Sequence, residues 1–476
     1  MVAKPVVIDR KFQPKTYCVG DDDDDDRISE LPDDILVVIL SLLSLKEAAR
    51  TSILCSRWIN LWKHTNSLDF DAEEAMCKLA RARARELEEE EGLKYIEWVN
   101  SVLQSHKAVT LKEFRICFDL SEPSQIAVTT WLEYALARRV QRLEFDLSAA
   151  NCSRYFRADL NYVFPQELLM ESNGVGSTSP PPSDTCIFNH HPRTRFDFKH
   201  LKALSLKFVT VTREAIEFFL NNCPLLEKLV VHKITKITNL EICGSSLVLK
   251  HLELWYCFDL DSVKVSAPNL TSLSVNLFNE LILENVPMLD ELTVSCGYSE
   301  FSVEKLLLYS CISQLESLHL FLNKLEGSTV LCNFPEMPRL KKLVIDYWAH
   351  GEESLIALTS LIRASPYLQQ FVLKLGWLEI SRSDREVESN VRFPHEHLKV
   401  VNFCGYYGRS SDVEFVRYFI DNCVVLERLI IDPHTVVYIP RVPIRPHIVA
   451  EEIIARDCAK RQLEPQVPAH IELVIL

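Results

Sequence analysis

The residues that could hold a metal ion or act as nucleophiles are scattered along this 476-residue sequence. Cys186, His190 and His191 offer one corner of a zinc site, but no second pair of Cys or His residues stands at a spacing that would complete tetrahedral coordination. Cys223 and Cys423 occupy equivalent positions in two similar segments, which is typical of packing or turn residues rather than of nucleophiles. The sequence therefore predicts neither a metal site nor a catalytic thiol.

Motifs that cradle phosphates or build an acyl-transfer site do not occur in the sequence. Glycine is scarce, at 11 residues, and neither G-x-x-x-x-G-K-[ST] nor G-x-G-x-x-G is found. The elbow G-x-S-x-G, the zinc helix H-E-x-x-H and paired C-x-x-C motifs are missing as well. We therefore expect a protein that has no enzymatic activity of its own and no cofactor.

The overall composition restricts the partners and the compartment. A formal net charge of −14 argues against a nucleic-acid binder and favours a basic target surface. The 15 cysteines are an odd number, and the N-terminal residues lack the apolar core of a secretory signal, so we expect reduced thiols in the cytoplasm or the nucleus. Charged residues interrupt every apolar run before it could span a bilayer, so no membrane contact is expected.

Two charged stretches flank the first folded unit that the sequence predicts. Residues 1–26 end in the run Asp21–Asp26, whose self-repulsion opposes compaction, so we expect a disordered acidic tail rather than a cation site. Residues 71–110 include RARARELEEEEGLK, in which Glu residues balance the neighbouring Arg residues. This pattern predicts charged linking helices.

Residues 27–70 combine helical apolar spacing with helix-start signals. Pro32 and Asp33 mark the start of one helix, and Ser44 followed by Glu47 is a capping-box pattern that opens the next. Three short helices in so few residues cannot bury all their apolar side chains by themselves. Some of those side chains must be covered by the following domain or by another protein.

From residue 111 onward the dominant signal is a repeated L-x-x-L-x-L unit. Copies stand about 19 to 30 residues apart outside one long interruption, and each predicts a short strand with a return segment that is often helical. The interruption, 151–195, is rich in Gly, Ser and Pro and predicts a loop insertion. The twelve units begin at Leu111, Val140, Leu201, Leu226, Leu249, Leu270, Leu289, Leu315, Leu340, Leu368, Leu398 and Leu426.

Segments 218–231 and 418–431 match almost position by position, which indicates duplication of a helix followed by a strand. Ser411 and Glu414 form a capping-box pattern before the second helix. The expected fold class is therefore α/β: a three-helix module followed by an irregular leucine-rich-repeat solenoid, or α/β horseshoe, whose repeats occupy 111–390 and continue through 391–465.

The alternation within each strand also predicts which side chains lie on the concave face of the solenoid. Residues between the inward leucines point outward, and a protein substrate would contact them. Trp255 and Phe321 are the favoured anchors, because large rigid aromatic groups dominate binding interfaces. The predicted substrate-binding surface consists of Lys228, His232, His251, Glu253, Trp255, Asn276, His319, Phe321 and Asp346.

Residues 27–70 resemble the F-box family, and the match follows the motif in order. It runs through Leu31-Pro32-Asp33-Asp34-Ile35-Leu36, Ile39-Leu40-Ser41-Leu42-Leu43, Ala48-Ala49-Arg50-Thr51-Ser52, Ser56-Arg57-Trp58 and Leu61-Trp62. The order of F-box, irregular repeats and C-terminal segment is similar to that of plant F-box/LRR proteins with an FBD domain, whose start resembles the segment FPHEHLKVVNFCGYYGRSSDVEFVRYFIDNCVVLERLII and which would occupy 391–465.

The resemblance implies a substrate-recognition subunit of a Skp-cullin-F-box ubiquitin ligase, bound to a Skp-type adaptor and through it to a cullin. It implies that Trp58 and Trp62 hold the helices together at the edge of the docking face. It places on the adaptor-binding face Leu31, Pro32, Ile35, Leu36, Ile39 and Leu43.

Two other functions stay open at this point. The chain could be a stand-alone leucine-rich-repeat scaffold whose N-terminal helices only cap the solenoid, or a sensor in which a small molecule fills a solenoid pocket. A cap would be covered by the first repeat, whereas an F-box would keep an apolar face free. No feature of the sequence favours the sensor.

Overall fold

The structure is a computed structural model, and it describes the greater part of the chain. The described residues are 28, 30–72, 85–118, 125–147, 162–169, 196–234, 237–257, 259–276, 280–295, 311–322, 334–349, 354–377, 392–434 and 446–476. The acidic run Asp21–Asp26, the Cys186, His190 and His191 group, and most of the predicted loop 151–195 lie outside them.

The main element is a sheet of fourteen parallel strands, neighbouring one another in the order in which they follow along the chain. Its strands are β1 (Ser67–Asp71), β2 (Glu113–Cys117), β3 (Arg142–Asp146), β5 (Ala203–Lys207), β7 (Lys228–His232), β9 (His251–Trp255), β11 (Ser272–Asn276), β13 (Glu291–Ser295), β14 (Ser317–Leu322), β15 (Lys342–Ala349), β16 (Gln370–Trp377), β17 (Val400–Cys404), β18 (Arg428–Asp432) and β19 (Glu472–Ile475).

Smaller elements form the return segments. A three-stranded parallel sheet joins β8 (Asn239–Cys243), β10 (Ser262–Ser266) and β12 (Glu280–Glu284), and a two-stranded one joins β4 (Tyr162–Val163) and β6 (Val209–Thr210). The helices are α1 (Asp33–Leu40), α2 (Leu45–Arg50), α3 (Arg85–Ser105), α4 (Gln125–Ala137), α5 (Arg213–Asn222), α6 (Thr359–Arg363), α7 (Ser410–Asn422) and α8 (Pro446–Leu463). Short 3-10 helices span Thr51–Ile53, Ser56–His64, Gln166–Leu168, Phe198–His200, Ile312–Gln314 and Leu355–Leu358.

Each of the twelve predicted L-x-x-L-x-L units forms one strand of the main sheet. In β9, Leu252 and Leu254 are fully buried on one face, while His251, Glu253 and Trp255 lie on the other. The same pattern continues along the sheet and joins its inner faces into one hydrophobic core. The α/β solenoid is therefore confirmed, and the structure adds a strand at each end, β1 and β19, that the repeat pattern does not predict.

The duplicated segments adopt the same local structure. Cys223 and Cys423 each follow a helix, and their backbone N–H groups donate to Phe219 and Phe419 at 3.0 and 2.9 Å. Both thiols are buried, and burial raises their pKa to about 12, so they stay protonated and pack as small apolar groups. This placement accounts for their recurrence.

The start of α7 differs from the predicted capping box. Asp412, rather than Glu414, accepts the backbone N–H of Arg409 at 3.0 Å, and the hydroxyl of Ser411 is buried without a hydrogen-bond partner. The box between Ser411 and Glu414 is wrong, because the helix begins earlier than the pattern indicates. The predicted box between Ser44 and Glu47 is confirmed, with a backbone N–H of Ser44 that donates to Glu47 at 3.1 Å.

Within the predicted loop 151–195, residues 162–169 are described and structured. Tyr162 and Val163 pair in parallel with Val209 and Thr210, and the Tyr162 ring is buried. Apolar residues at this point thus extend the core beneath the first repeats.

Two buried histidines make the fold sensitive to acid. The Nε2 of His106 donates to the Thr65 carbonyl at 2.8 Å and its Nδ1 accepts from the Tyr134 hydroxyl at 2.7 Å, while His395 contacts the Tyr418 hydroxyl at 2.7 Å. Burial lowers the pKa of each histidine to about 4.

Stability should therefore fall as the pH is lowered from about 6.5 to about 4, because the unfolded chain binds protons there that the folded chain does not. Over that pH range each histidine lowers the free energy of unfolding by up to about 3 kcal/mol. In urea titrations, His106→Gln/His395→Gln should lose less stability between neutral and acidic pH than the wild type, whereas the exposed control His397→Gln should follow the wild type. Equal acid sensitivity in all three proteins would contradict this assignment.

Candidate functional site

The first helix carries apolar residues on two opposite faces. Leu36 and Leu40 are buried, at 0% and 1% exposure, in a small cluster completed by Ala48, Trp58 and Leu61. The other face presents an exposed stripe at the spacing i, i+3, i+4, i+7. The stripe consists of Ile35 at 46%, Val38 at 55% and Ile39 at 37% exposure in the helix, and of Leu42 at 83% exposure in the turn that follows it.

The structure sorts the residues that the resemblance assigns to adaptor binding. Pro32, Ile35, Ile39 and Leu43 are exposed, and Leu31 is half-buried. The two tryptophans belong to the module's own packing, Trp58 fully and Trp62 in part, as expected for residues that hold the helices together. The placement of these residues leaves their binding role a prediction.

Leu36 differs from that expectation. Its side chain has no exposed surface, so it can support the face only from beneath. The residues that sequence reasoning missed are exposed apolar side chains on α1 and the segments that follow it. They are Val38, Leu42, Ile53, Leu54 and Ile59, and the i, i+3, i+4, i+7 spacing would have identified the first two.

An exposed ion pair fixes the turn into the first helix. The Arg57 guanidinium contacts the Asp33 carboxylate at 2.7 Å and also donates to the Leu31 carbonyl. Arg57 therefore holds the segment around Pro32 against the 3-10 helix Ser56–His64.

The module joins the repeats through a different surface from the exposed stripe. Leu45 packs into the core of the solenoid, the Lys63 carbonyl accepts the N–H of Lys107 at 2.7 Å, and the Asn66 carbonyl accepts that of Lys112 at 2.7 Å. The module thus both covers the first repeat and keeps an apolar helical face uncovered. A simple cap would show only the first of these properties.

An aromatic cluster lies at the middle of the outward strand surface. The rings of Trp255 and Phe321 meet edge to face at 5.0 Å, and Phe321 stacks on His319 at 4.4 Å. β9 and β14 are three strand steps apart, roughly 14 Å along the sheet, so these side chains converge above the strands between them. The indole Nε1 of Trp255 donates to the Ser274 hydroxyl at 2.5 Å, which fixes the ring.

Histidine and carboxylate groups surround this cluster. Glu253 bonds His232 at 2.6 Å and lies 3.5 Å from His251. Burial raises the pKa of Glu253, but the hydrogen bonds of the two histidines outweigh it and hold that pKa well below its usual range. His319 bonds Asp346 at 2.5 Å. Charged groups on this surface are therefore positioned by one another.

Three of the predicted substrate-binding residues lie at the margins of this surface. Asn276 and Asp346 are buried, the latter at 2% exposure, so they brace the surface rather than present it. Lys228 is exposed at the edge where the strands begin. The remaining predicted residues, among them Trp255 and Phe321, are half-buried with accessible area, and their role in substrate binding stays a prediction.

A charge network on the first strands was not predicted. Arg115 contacts Asp71 at 2.7 Å and Asp69 at 3.3 Å, and Lys207 contacts Glu144 at 3.0 Å. Burial raises the pKa of Asp69 even though Arg115 acts in the opposite direction. Alternating charges at successive outward positions are the signal that would have revealed this network.

Among the described residues, no group of three or more His, Cys, Asp and Glu side chains is arranged to hold a metal ion. The described cysteines are free. Cys257 is fully buried, its thiol contacts the Trp255 carbonyl at 3.2 Å, and burial raises its pKa to about 12. Cys257 is therefore a packing group. In the described part of the chain, no helix combines the length and the apolar character needed to cross a membrane.

Comparison with known proteins agrees with this geometry. Residues 28–70 match the F-box domain, and residues 102–476 match the family described as At1g61320/AtMIF1, LRR domain. The Arabidopsis thaliana F-box/FBD/LRR-repeat proteins At5g22660 and At5g53840 are 23% and 25% identical, each over 85% of this chain and over 89% and 88% of their own length. The Arabidopsis F-box/LRR-repeat protein At3g58940 is 26% identical over 86% of this chain and 65% of its own.

A helical F-box module continued by a parallel leucine-rich-repeat sheet defines the class of F-box/LRR proteins. The chain belongs to the At1g61320/AtMIF1 LRR-domain family, and its relatives include plant proteins that also carry the FBD name. The boundaries of an FBD-type region at 391–465 stay a prediction.

Proposed function

We propose that this chain is the substrate-recognition subunit of a Skp-cullin-F-box ubiquitin ligase in the cytoplasm or the nucleus. The observation that carries the proposal is the exposed stripe of Ile35, Val38, Ile39 and Leu42, on a module that packs against the repeats through a different surface. A Skp-type adaptor is the partner that the F-box match implies.

These uncovered side chains would supply binding energy when a partner buries them. Full burial of an exposed large aliphatic side chain is worth about 1.5 to 3 kcal/mol, so the four partly to largely exposed side chains of the stripe offer several kcal/mol toward a complex, and the exposed Ile53 and Leu54 lie farther along the same module. Left free, such a patch favours non-specific association. A dedicated partner removes that liability.

In this proposal the chain supplies position and its partners supply chemistry. The cullin, reached through the adaptor, brings the charged conjugating enzyme, and the F-box subunit raises the local concentration of the substrate. The substrate is a protein held on the outward strand surface, with Trp255 and Phe321 as its aromatic anchors.

Co-purification of the full chain with a Skp-type adaptor tests the docking half. The double variant Ile39→Asp/Leu42→Asp should weaken adaptor binding by more than about tenfold, because each change places a charge in the interface. Val109→Asp/Ile126→Asp is the matched control, since these side chains are 84% and 78% exposed outside the module. The control should bind the adaptor like the wild type.

The double variant Trp255→Ala/Phe321→Ala tests the proposed substrate-binding surface. It should retain the adaptor but yield fewer ubiquitin-modified proteins with the reconstituted ligase. If a folded wild type ignores the adaptor, the chain is a stand-alone repeat scaffold. If Ile39→Asp/Leu42→Asp binds the adaptor like the wild type and Trp255→Ala/Phe321→Ala modifies as many proteins as the wild type, both surfaces are assigned wrongly.

A further inference from the structure

The last strand of the main sheet has one edge without a neighbouring strand. β19 pairs in parallel with β18, from Arg428↔Glu472 to Ile431↔Ile475, and among the described residues no strand lies beyond it. At the opposite end of the sheet, β1 contacts α2 of the F-box module. The end at β19 is therefore the one that offers a strand edge for pairing.

The backbone groups of β19 alternate between its two edges. The N–H groups of Glu472 and Leu476 donate to carbonyls on the β18 side, at 2.9 and 3.0 Å. Successive residues of a strand direct their backbone groups to opposite sides, so those of Leu473 and Ile475 point away from β18. A row of such groups is a template for one more strand.

A groove of about 400 Å³ lies beside this edge, between β19 and α8. Its wall on the helix side includes Lys460 and Glu464, and its wall on the strand side includes Ile471, Leu473 and Ile475. Apolar side chains and edge-directed backbone groups thus occur together. This combination fits an extended strand better than it fits a compact ligand.

We infer that β19 pairs with β19 of a second copy of this chain, in antiparallel orientation, about a twofold axis that passes at Val474. In this register Leu473 of each copy lies opposite Ile475 of the other. Both residues direct their backbone groups to the free edge, so each of the two pairs exchanges two hydrogen bonds and the interface gains four.

The neighbouring register forms fewer hydrogen bonds. With the axis at Leu473, Ile475 would lie opposite Ile471, whose N–H already donates to the Pro468 carbonyl at 3.0 Å. The register at Val474 also places side chains of the same kind on each face of the joined sheet. Leu473 faces Ile475 on the core side, and the two Val474 side chains meet on the outward side.

No like charges of β19 meet across this edge in the proposed register. Glu472 contacts Arg428 of its own chain at 2.7 Å and lies opposite Leu476 of the second copy. Leu476 is 49% exposed, and Val474 is half-buried, so both have apolar surface that pairing removes from water. The strand edge therefore resists pairing less than a charged edge would.

The charges on α8 favour a second copy over an unrelated strand. The Nε of Arg456 donates to the Leu476 carbonyl at 2.5 Å, and Lys460 and Glu464 border the groove. Their spacing of four residues places all three on one side of the helix. Two strand residues span about 6.6 Å and four helical residues about 6 Å, so Lys460 is about level with Val474.

An axis at that level makes the two α8 helices antiparallel. Arg456 of each copy then lies on the Glu464 side of the other, so opposite charges face each other twice across the axis, whereas Lys460 faces its own counterpart once. The twofold axis that suits the strand edge therefore also suits the flank of the helix.

The test is sedimentation equilibrium of the full chain between about 1 and 300 μM. The wild type should form a dimer with a dissociation constant on the order of 10 to 100 μM, because the paired strands are short. Val474→Glu and Val474→Lys should each weaken self-association at least about tenfold, because like charges meet on the axis. An equimolar mixture of these two variants should form a heterodimer at least about tenfold tighter than either self-association.

Thr293→Glu is the matched control. Thr293 is half-buried at the same outward position of β13, six strands away from β19, so this variant should dimerise within about twofold of the wild type. Ile475→Pro is a second test at the edge, because it removes an N–H that points away from β18. It should also weaken self-association at least about tenfold, with circular dichroism unchanged.

Four results would overturn the inference. A wild type that stays monomeric over the whole range has no such interface. Growth beyond the dimer would show an open arrangement instead of a twofold one. A mixture of the two Val474 variants that stays monomeric would place the axis elsewhere. A folded Ile475→Pro chain that dimerises like the wild type would show that backbone pairing at this edge does not hold the dimer together.

Discussion

Replacement of Gly405 by alanine should destabilise the last repeats by more than about 4 kcal/mol. Gly405 follows β17 with φ +85°, in the left-handed region that other residues adopt only at a cost. A Cβ atom there would lie 2.1 Å from the backbone oxygen of Leu375 on the neighbouring strand. The backbone N–H of Gly405 donates to the Asp432 carbonyl at 2.7 Å, so the segment is held on both sides.

Hydrogen exchange and the thermal midpoint would measure this effect. Exchange should accelerate first in 398–432, because repeats contact only their neighbours and unfold locally. Gly92→Ala is the matched control, since Gly92 lies inside α3 and a Cβ there would meet the Phe118 ring at an ordinary 3.8 Å. That control should raise stability by about 0.5 to 1 kcal/mol. A Gly405→Ala protein as stable as the wild type would show that the neighbouring strand can move aside.

Replacement of Asp412 by alanine should cost about 3 to 5 kcal/mol. The Asp412 carboxylate is fully buried, bonds the Arg409 guanidinium at 2.7 Å, and accepts the backbone N–H groups of Tyr407 and Arg409, each at 3.0 Å. Removal leaves a buried guanidinium without this carboxylate and takes the acceptor from two backbone donors. The loop before α7 would lose the group that organises it.

Urea denaturation distinguishes this buried pair from an exposed one. Glu472→Ala removes the partner of Arg428, at 2.7 Å but with half of each side chain exposed, and should cost no more than about 1 kcal/mol. Arg409→Met/Asp412→Leu should be less destabilised than Asp412→Ala, because neither charge is then buried. Equal losses for Asp412→Ala and Glu472→Ala would refute the role of burial.

The repeats were predictable because alternation and a fixed motif act together at every copy. β1 escaped prediction because Leu68 and Phe70 lack an apolar residue three positions upstream, and β19 escaped because its position after α8 breaks the preceding spacing. Both strands form because an adjacent strand offers free backbone groups, which is a tertiary condition that a local pattern does not contain.

The sequence predicts on which elements the candidate-site residues lie, but not how far each side chain is buried. Helical spacing places Leu36 near Ile35 and Ile39, yet α1 is apolar on opposite faces, and only the packing of Trp58 decides which face is buried. Alternation likewise places Asn276 and Asp346 on the outward surface, but it cannot show how far the long side chains on neighbouring strands cover them.

Because the strands follow one another in chain order at a regular spacing, the number of strands fixes distances along the sheet. Five strand steps separate β1, beside the F-box, from β9, which carries Trp255. At about 4.8 Å each, they set the aromatic cluster roughly 24 Å from the F-box end, measured along the sheet. A gain or loss of one repeat between these strands would move the aromatic cluster by about 4.8 Å along the sheet. The exposed helical stripe and the aromatic cluster would themselves stay unchanged. If the proposed substrate role holds, the number of repeats sets where a substrate is presented, independently of which residues bind it.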